Sequence, residues 1–178
     1  DLFSPIKRAV RGRVVWLGIN LCTAFLAATV IGQFELTLQK VVALAVLMPI
    51  VAGVGGNAAV QVLTLMVRGI ALGQVGQSNA RILLWKEARV ALINGTLIGL
   101  LVGLIAFLWF HSLLLSLVIT LALIINFLAA ALAGVLLPLL LKRMNVDPAV
   151  AGTVVVTAVT DVMGFFSFLG LATLILLH

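Results

Sequence analysis

The stretch DPAVAGTVVVTAVTDVMGFFSFLGLA, residues 147–172, decides the fold of this chain. It opens with Asp147-Pro148, a capping carboxylate followed by proline at the first helical position, where a missing N–H costs nothing. Beyond that pair the run is apolar, small or hydroxylated except for one carboxylate, Asp161. A helix needs about 20 apolar residues to cross a bilayer, so this segment is long enough to span one. At 1.5 Å per residue, Asp161 falls about 20 Å along it, near the bilayer midplane.

The rest of the chain has the same character. Of its 178 residues, 64% are hydrophobic and only 9% charged, and the mean hydropathy is +1.35. A soluble domain has too few polar side chains to cover that much apolar surface, so the composition describes a membrane protein. Five apolar blocks follow one another, at about 14–34, 41–67, 90–110, 113–141 and 148–177. They are too long for strands and lack strict alternation, and an open sheet cannot lie in lipid. The expected class is an all-α integral membrane protein with five transmembrane helices, a juxtamembrane segment at 1–13 and a transmembrane domain at 14–178.

Charge sets the expected orientation. With the N-terminus cytoplasmic, the inner segments hold Lys7, Arg8, Arg11 and Arg13, then Arg68, Arg81, Lys86 and Arg89, then Lys142 and Arg143. That is ten of the eleven basic residues, leaving only Lys40 outside. The asymmetry is a positive-inside signal and supports an odd number of spans, with the C-terminus outside. The net charge of +6 therefore reads as topology, not as a nucleic-acid surface. His111 falls in an outer turn, and the single Cys22 forms no disulfide or zinc pattern.

An aspartate at mid-bilayer costs roughly 2.5–3.5 kcal/mol on insertion scales. Every Lys and Arg lies in a loop or at a helix end, so none meets Asp161 at that depth. The carboxyl is either protonated, hydrogen-bonding a neighbouring helix, or it faces water and a mobile cation. Its surroundings favour the second. On a helical projection Thr153, Thr157, Thr160, Asp161, Gly164 and Ser167 share an arc of about 120°, one polar and small stripe among apolar faces.

A second unusual stretch is PIVAGVGGNAAVQ, residues 49–61. Gly53, Gly55 and Ala58 match a dinucleotide-binding spacing, but no strand precedes them and the segment lies inside a span, so that reading fails. Proline and three glycines instead loosen the helix and expose carbonyls, which membranes tolerate only against protein or water. Gly53, Asn57, Gln61 and Thr64 share an arc of about 80°, a second polar stripe; glycine packing with Asn57 as an interhelical bond is the competing account.

Elsewhere packing is the better reading. Gly95, Gly99 and Gly103 form a tandem G-x-x-x-G, expected to be a helix contact surface, and Asn20, Asn94 and Asn126 read as interhelical hydrogen-bond donors. Glu87, in RILLWKEARVA at 81–91, is expected in a solvated salt bridge with its basic neighbours at the interface. There is no nucleophile with its base, phosphate loop or redox centre, so an enzyme is not expected.

The two unusual stretches, together with the basic LLLKRM turn at 139–144, resemble the signature segments of the MgtE family of magnesium channels. The resemblance covers nearly the whole chain and implies a homodimer in the inner (plasma) membrane, with the second and fifth helices of both subunits lining a central pore. It implies that Asp161 binds a hydrated Mg²⁺, with Asn57 beside the same path. Thr157 joins them as a candidate ligand of the ion's waters, and Gly53, Gly56, Gln61, Thr64, Thr153, Thr160 and Gly164 are the expected pore wall. Family members carry cytoplasmic sensor domains ahead of the membrane part; here residues 1–13 are expected to be the end of a connecting helix, with those domains missing.

The chemistry agrees with this reading. Mg²⁺ keeps most of its water and is held by one or two carboxylates, as two Asp161 side chains across a two-fold axis would provide. Without a Cys or His cluster a soft-metal site is not expected. Oxygen ligands leave Mn²⁺, Co²⁺ and Ca²⁺ open. A Na⁺- or H⁺-coupled divalent-cation transporter is the alternative, and a non-transporting membrane scaffold is a third reading.

Overall fold

The computed structural model of the protein describes residues 2–178, and all regular structure among them is helical. Six helices follow in order: α1 (Ile6–Gly32), α2 (Glu35–Lys40), α3 (Ala43–Ala71), α4 (Ala80–Phe110), α5 (Leu113–Arg143) and α6 (Pro148–Leu176). Among the described residues, all but α2 are long and apolar enough to cross a membrane, one for each apolar block of the sequence. The short α2 lies between the first two apolar blocks. It is tied to α6 by the Thr37 and Thr173 hydroxyls, 2.7 Å apart.

The helices outrun the hydrophobic blocks at their basic ends. Helix α1 begins at Ile6 and carries Lys7, Arg8, Arg11 and Arg13; α4 begins at Ala80, about two turns before Glu87. Hydropathy marks where lipid begins, whereas backbone hydrogen bonding continues the helix through polar turns until a stop signal.

Those signals are local. Asp147 Oδ1 accepts from Ala149 N–H at 3.0 Å, with Pro148 opening the helix, so the cap read from the sequence is present. Ser112 caps α5 by accepting from Leu115 N–H at 3.2 Å. His111 ends α4 in the left-handed region (φ 53°) and donates its N–H to Phe107 at 2.8 Å, giving a two-residue turn between antiparallel helices.

Helices α3, α5 and α6 form the centre, with α4 against α5 and α1 leaning mainly on α6. Leu44, Leu47, Val51, Ile119, Leu123 and Phe168 make the larger core at one end. Toward the other end Ala59, Ala130 and Ala133 replace them, allowing closer backbones. Helix α1 is almost wholly exposed, with Ala27 its one buried residue.

Candidate functional site

The seam between α3 and α6 brings the two unusual stretches together. Three contacts fix an antiparallel register. A Cβ on Gly152 would touch Leu63 Cδ1 at 2.8 Å, one on Gly56 would reach Thr157 Cγ2 at 4.0 Å, and one on Gly164 would meet Val51 Cγ1 at 3.1 Å. Interpolating along the pair brings Gly53 level with Asp161 and Asn57 level with Thr157. Helical periodicity put these residues on stripes of separate helices; the packing places the stripes side by side.

Asp161 is half-buried on α6, and among the described residues its carboxylate has neither an ion-pair partner nor a hydrogen bond. The packing account of this residue required a hydrogen bond to a neighbouring helix, and none is made among the described residues. Asn57 is exposed, and its amide also has no protein partner. Thr157 is half-buried and donates its hydroxyl to its own helix, to Thr153 O at 2.7 Å or Val154 O at 3.1 Å. Its proton is thus committed to backbone and its lone pairs are left over. Such an oxygen accepts, and water molecules around a cation donate. Thr153, Gly53 and Thr64 are exposed, Thr64 donating to Val60 O at 2.8 Å and Thr153 facing a groove beside α1.

Other members of the expected wall are elsewhere. Thr160 is fully buried inside the protomer and bonds its own backbone, at 3.0 Å to Thr157 O and 3.2 Å to Val156 O. Gly164 is a packing site: a Cβ there would lie 2.7 Å from Asn126 Nδ2. Gln61 lines a different cavity, between α3, α4 and α5, with Glu87 and Asn94. A 120° arc is wider than the free face of a helix that packs against three neighbours, so one edge of the α6 stripe turns inward, while Gln61 of α3 stays exposed beside α4 and α5.

The tandem glycines and Asn126 pack where the sequence placed them, whereas Asn20 and Asn94 are exposed and make no interhelical hydrogen bond among the described residues. A Cβ on Gly95 would meet Phe127 at 3.1 Å, and one on Gly99 the Thr120 carbonyl at 3.0 Å. Ser116 and Thr120 of α5 donate to the carbonyls of Gly103 and Gly99 at 2.7 and 3.0 Å. Asn126, fully buried, donates to Val51 O at 3.2 Å and fills the space left by Gly55 and Gly164. It joins α3, α5 and α6 directly behind the Asp161 seam, a role that its solitary polar character hinted at and its position in the bundle supplies.

These features define a multi-pass helical membrane protein with an unpaired carboxylate on an otherwise oxygen-lined seam. Residues 48–171 match the MgtE family, described as divalent cation transporters. The chain belongs to the MgtE family. It is 39% identical over 164 residues to the magnesium transporter MgtE of Thermus thermophilus, covering 92% of this chain and 36% of that protein. It is 28% identical over 161 residues to the MgtE of Bacillus subtilis, covering 90% and 36%. Against that of Enterococcus faecalis it is 30% identical over 171 residues, covering 96% and 38%. The chain thus spans little more than a third of the length of these relatives.

Proposed function

We propose that this chain conducts Mg²⁺ across the cell's inner (plasma) membrane, along a path lined by the seam of α3 and α6. The observation that carries the reading is the half-buried Asp161 carboxylate, left without a protein partner on the seam where the glycine-rich stretch of α3 meets α6. A charge at that depth is costly unless water or a cation reaches it. Membership of a family described as divalent cation transporters supports the choice of cargo.

Asp161 holds the hydrated ion, and Thr157 and Asn57 accept hydrogen bonds from its retained waters. Gly53 and Gly56 keep the passage wide, and Thr64 and Thr153 continue the polar wall toward the cytoplasm. The N-terminus is cytoplasmic and the C-terminus outside, a reading that the distribution of basic residues supports. One protomer offers a single carboxylate and an open flank, so the pore forms where two copies meet. Hexahydrated Mg²⁺ needs hydrogen-bond acceptors only at its periphery, and two Asp161 carboxylates facing across a two-fold axis satisfy it without stripping the inner waters.

The test is Mg²⁺ flux into liposomes by purified protein, with and without Na⁺ and pH gradients, for wild type and Asp161→Asn. Conduction predicts flux that follows the Mg²⁺ gradient alone and is lost in the variant. Flux that vanishes when the Na⁺ or pH gradient is removed makes the protein an exchanger. Wild-type flux in Asp161→Asn removes that residue from the path.

A further inference from the structure

Glu87 is the other acidic side chain set against the transmembrane bundle. The sequence suggested a salt bridge with basic neighbours on its own helix, and the structure has none: among the described residues no Lys or Arg nitrogen lies within 4.0 Å of its carboxylate, and it makes no hydrogen bond. Arg89 stands on a different face of α4, around a groove with Ile82, Trp85 and Ile93, and Lys86 lies between that groove and the cavity that Glu87 shares with Arg68. Glu87 instead lines a cleft of about 130 Å³ between α3, α4 and α5.

Two amides line that cleft with it. Asn94 is two helical turns further along the same face of α4, and Gln61 enters from α3. Neither has a protein hydrogen bond among the described residues. The remaining wall is mostly small, with Ala58, Ala91, Ala130 and Ala131, which leaves the volume open. That volume corresponds to roughly four waters at about 30 Å³ each. The cleft shares Val62, Leu65 and Glu87 with a wider cavity of about 390 Å³, lined also by Arg68 and Gln74 where α3 ends and by Lys86 of α4. A hydrophilic solute therefore has a route in from the α3–α4 loop.

One carboxylate and two amide carbonyls are hard oxygen donors with no nitrogen or sulfur ligand among them, the set that suits a divalent cation keeping part of its water. The cleft contains none of Asp161, Thr157 or Asn57. Gln61 and Asn94 are exposed within their spans without protein partners, and water or an ion in the cleft would satisfy them. We infer that the Glu87 cleft is a second divalent-cation site, entered from the α3–α4 loop and separate from the Asp161 seam. It acts as a side site, occupied without the ion crossing the membrane.

The experiment uses Mn²⁺ as an oxygen-seeking probe and the whole chain in nanodiscs, in an Asp161→Asn background so that the outcome does not depend on the conduction path. Electron paramagnetic resonance counts bound Mn²⁺. Asp161→Asn should still bind Mn²⁺, Asp161→Asn/Glu87→Gln should lose it, and adding Gln61→Leu or Asn94→Leu should weaken binding at least threefold. Equal Mn²⁺ binding with and without Glu87→Gln overturns the site, as does no binding in Asp161→Asn. A second readout covers a variant that misfolds: with 5-fluorotryptophan in the Asp161→Asn protein, Mn²⁺ should broaden the ¹⁹F signal of Trp85, two residues from Glu87, well before that of Trp109. Equal broadening of the two also overturns it.

Discussion

Gly95, Gly99 and Gly103 of α4 lie against α5, where an added Cβ would strike Phe127, Thr120 or Ser116, whereas Gly53 of α3 faces open space and Gly56 barely reaches Thr157. The hydroxyls differ in the same way. Ser116 and Thr120 donate across the α4–α5 interface to glycine carbonyls. Thr157 and Thr64 donate only within their own helices. Both regions use glycine with hydroxylated or amide side chains, the vocabulary of helix association in lipid. In one, backbones approach and the polar groups are consumed. In the other, the small residues leave room and the polar groups stay available, with a carboxylate among them. The difference teaches that composition alone does not separate a packing surface from a solvent path; the partner across the helix does.

The contrast breaks most sharply at Asp161. If the open seam serves an ion, Asp161→Asn should keep the fold yet lose Mg²⁺ affinity by about 3 kcal/mol, the scale of removing one partner of a charge pair, which is roughly a hundredfold. Calorimetry with Mg²⁺ reads this, and wild-type affinity in the variant would make the seam another packing surface.

Glycine substitutions test the comparison from both sides. Gly103→Val should destabilise the protein by about 1–3 kcal/mol through overpacking, lowering its unfolding temperature in detergent. Gly53→Val adds bulk where nothing lies within 4 Å, so its unfolding temperature should stay near wild type while Mg²⁺ flux falls. Matching stability losses in the two variants would erase the distinction.

A smaller effect is expected behind the seam. Asn126→Ala removes the bond to Val51 O and should cost about 0.6–1.5 kcal/mol, the range for polar contacts between membrane helices. Thermal unfolding checks it, and an unchanged midpoint would mean that Asn126 does not join the three helices energetically.

The smallest expected change is Thr157→Val. Losing one acceptor toward the ion's waters is worth about 0.5–1 kcal/mol, a two- to fivefold weaker Mg²⁺ affinity, restored by Thr157→Ser. Full affinity in the valine variant would confine Thr157 to its own backbone.

Much of this protein was legible in its sequence because lipid leaves a chain few choices. Backbone groups in a bilayer must bond within their own segment, so five long apolar blocks with few charges could only be helices, and Asp147-Pro148 and the turn at His111 marked their ends. The same rule made Asp161 conspicuous: a carboxylate amid apolar residues, with every basic residue elsewhere, demands an explanation before any contact is known. The tandem glycines of α4 also declared themselves, since their spacing repeats on one face.

The tertiary structure decided what each polar residue meets. Helical periodicity says which residues share a face, but not how wide a face stays free once neighbours arrive. Thr160 and Gly164 lay on the same arc as Asp161, yet the arrival of α3 and α5 buried them, and Asn126 took the space beside Gly164. Gln61 shared an arc with Asn57 but opens into the cleft of Glu87, which the sequence had paired with its neighbours on α4. A sequence lists the donors and acceptors along each helix. Which of them find partners depends on the rotation and register of the helices packed beside them, and short-range pattern does not encode those.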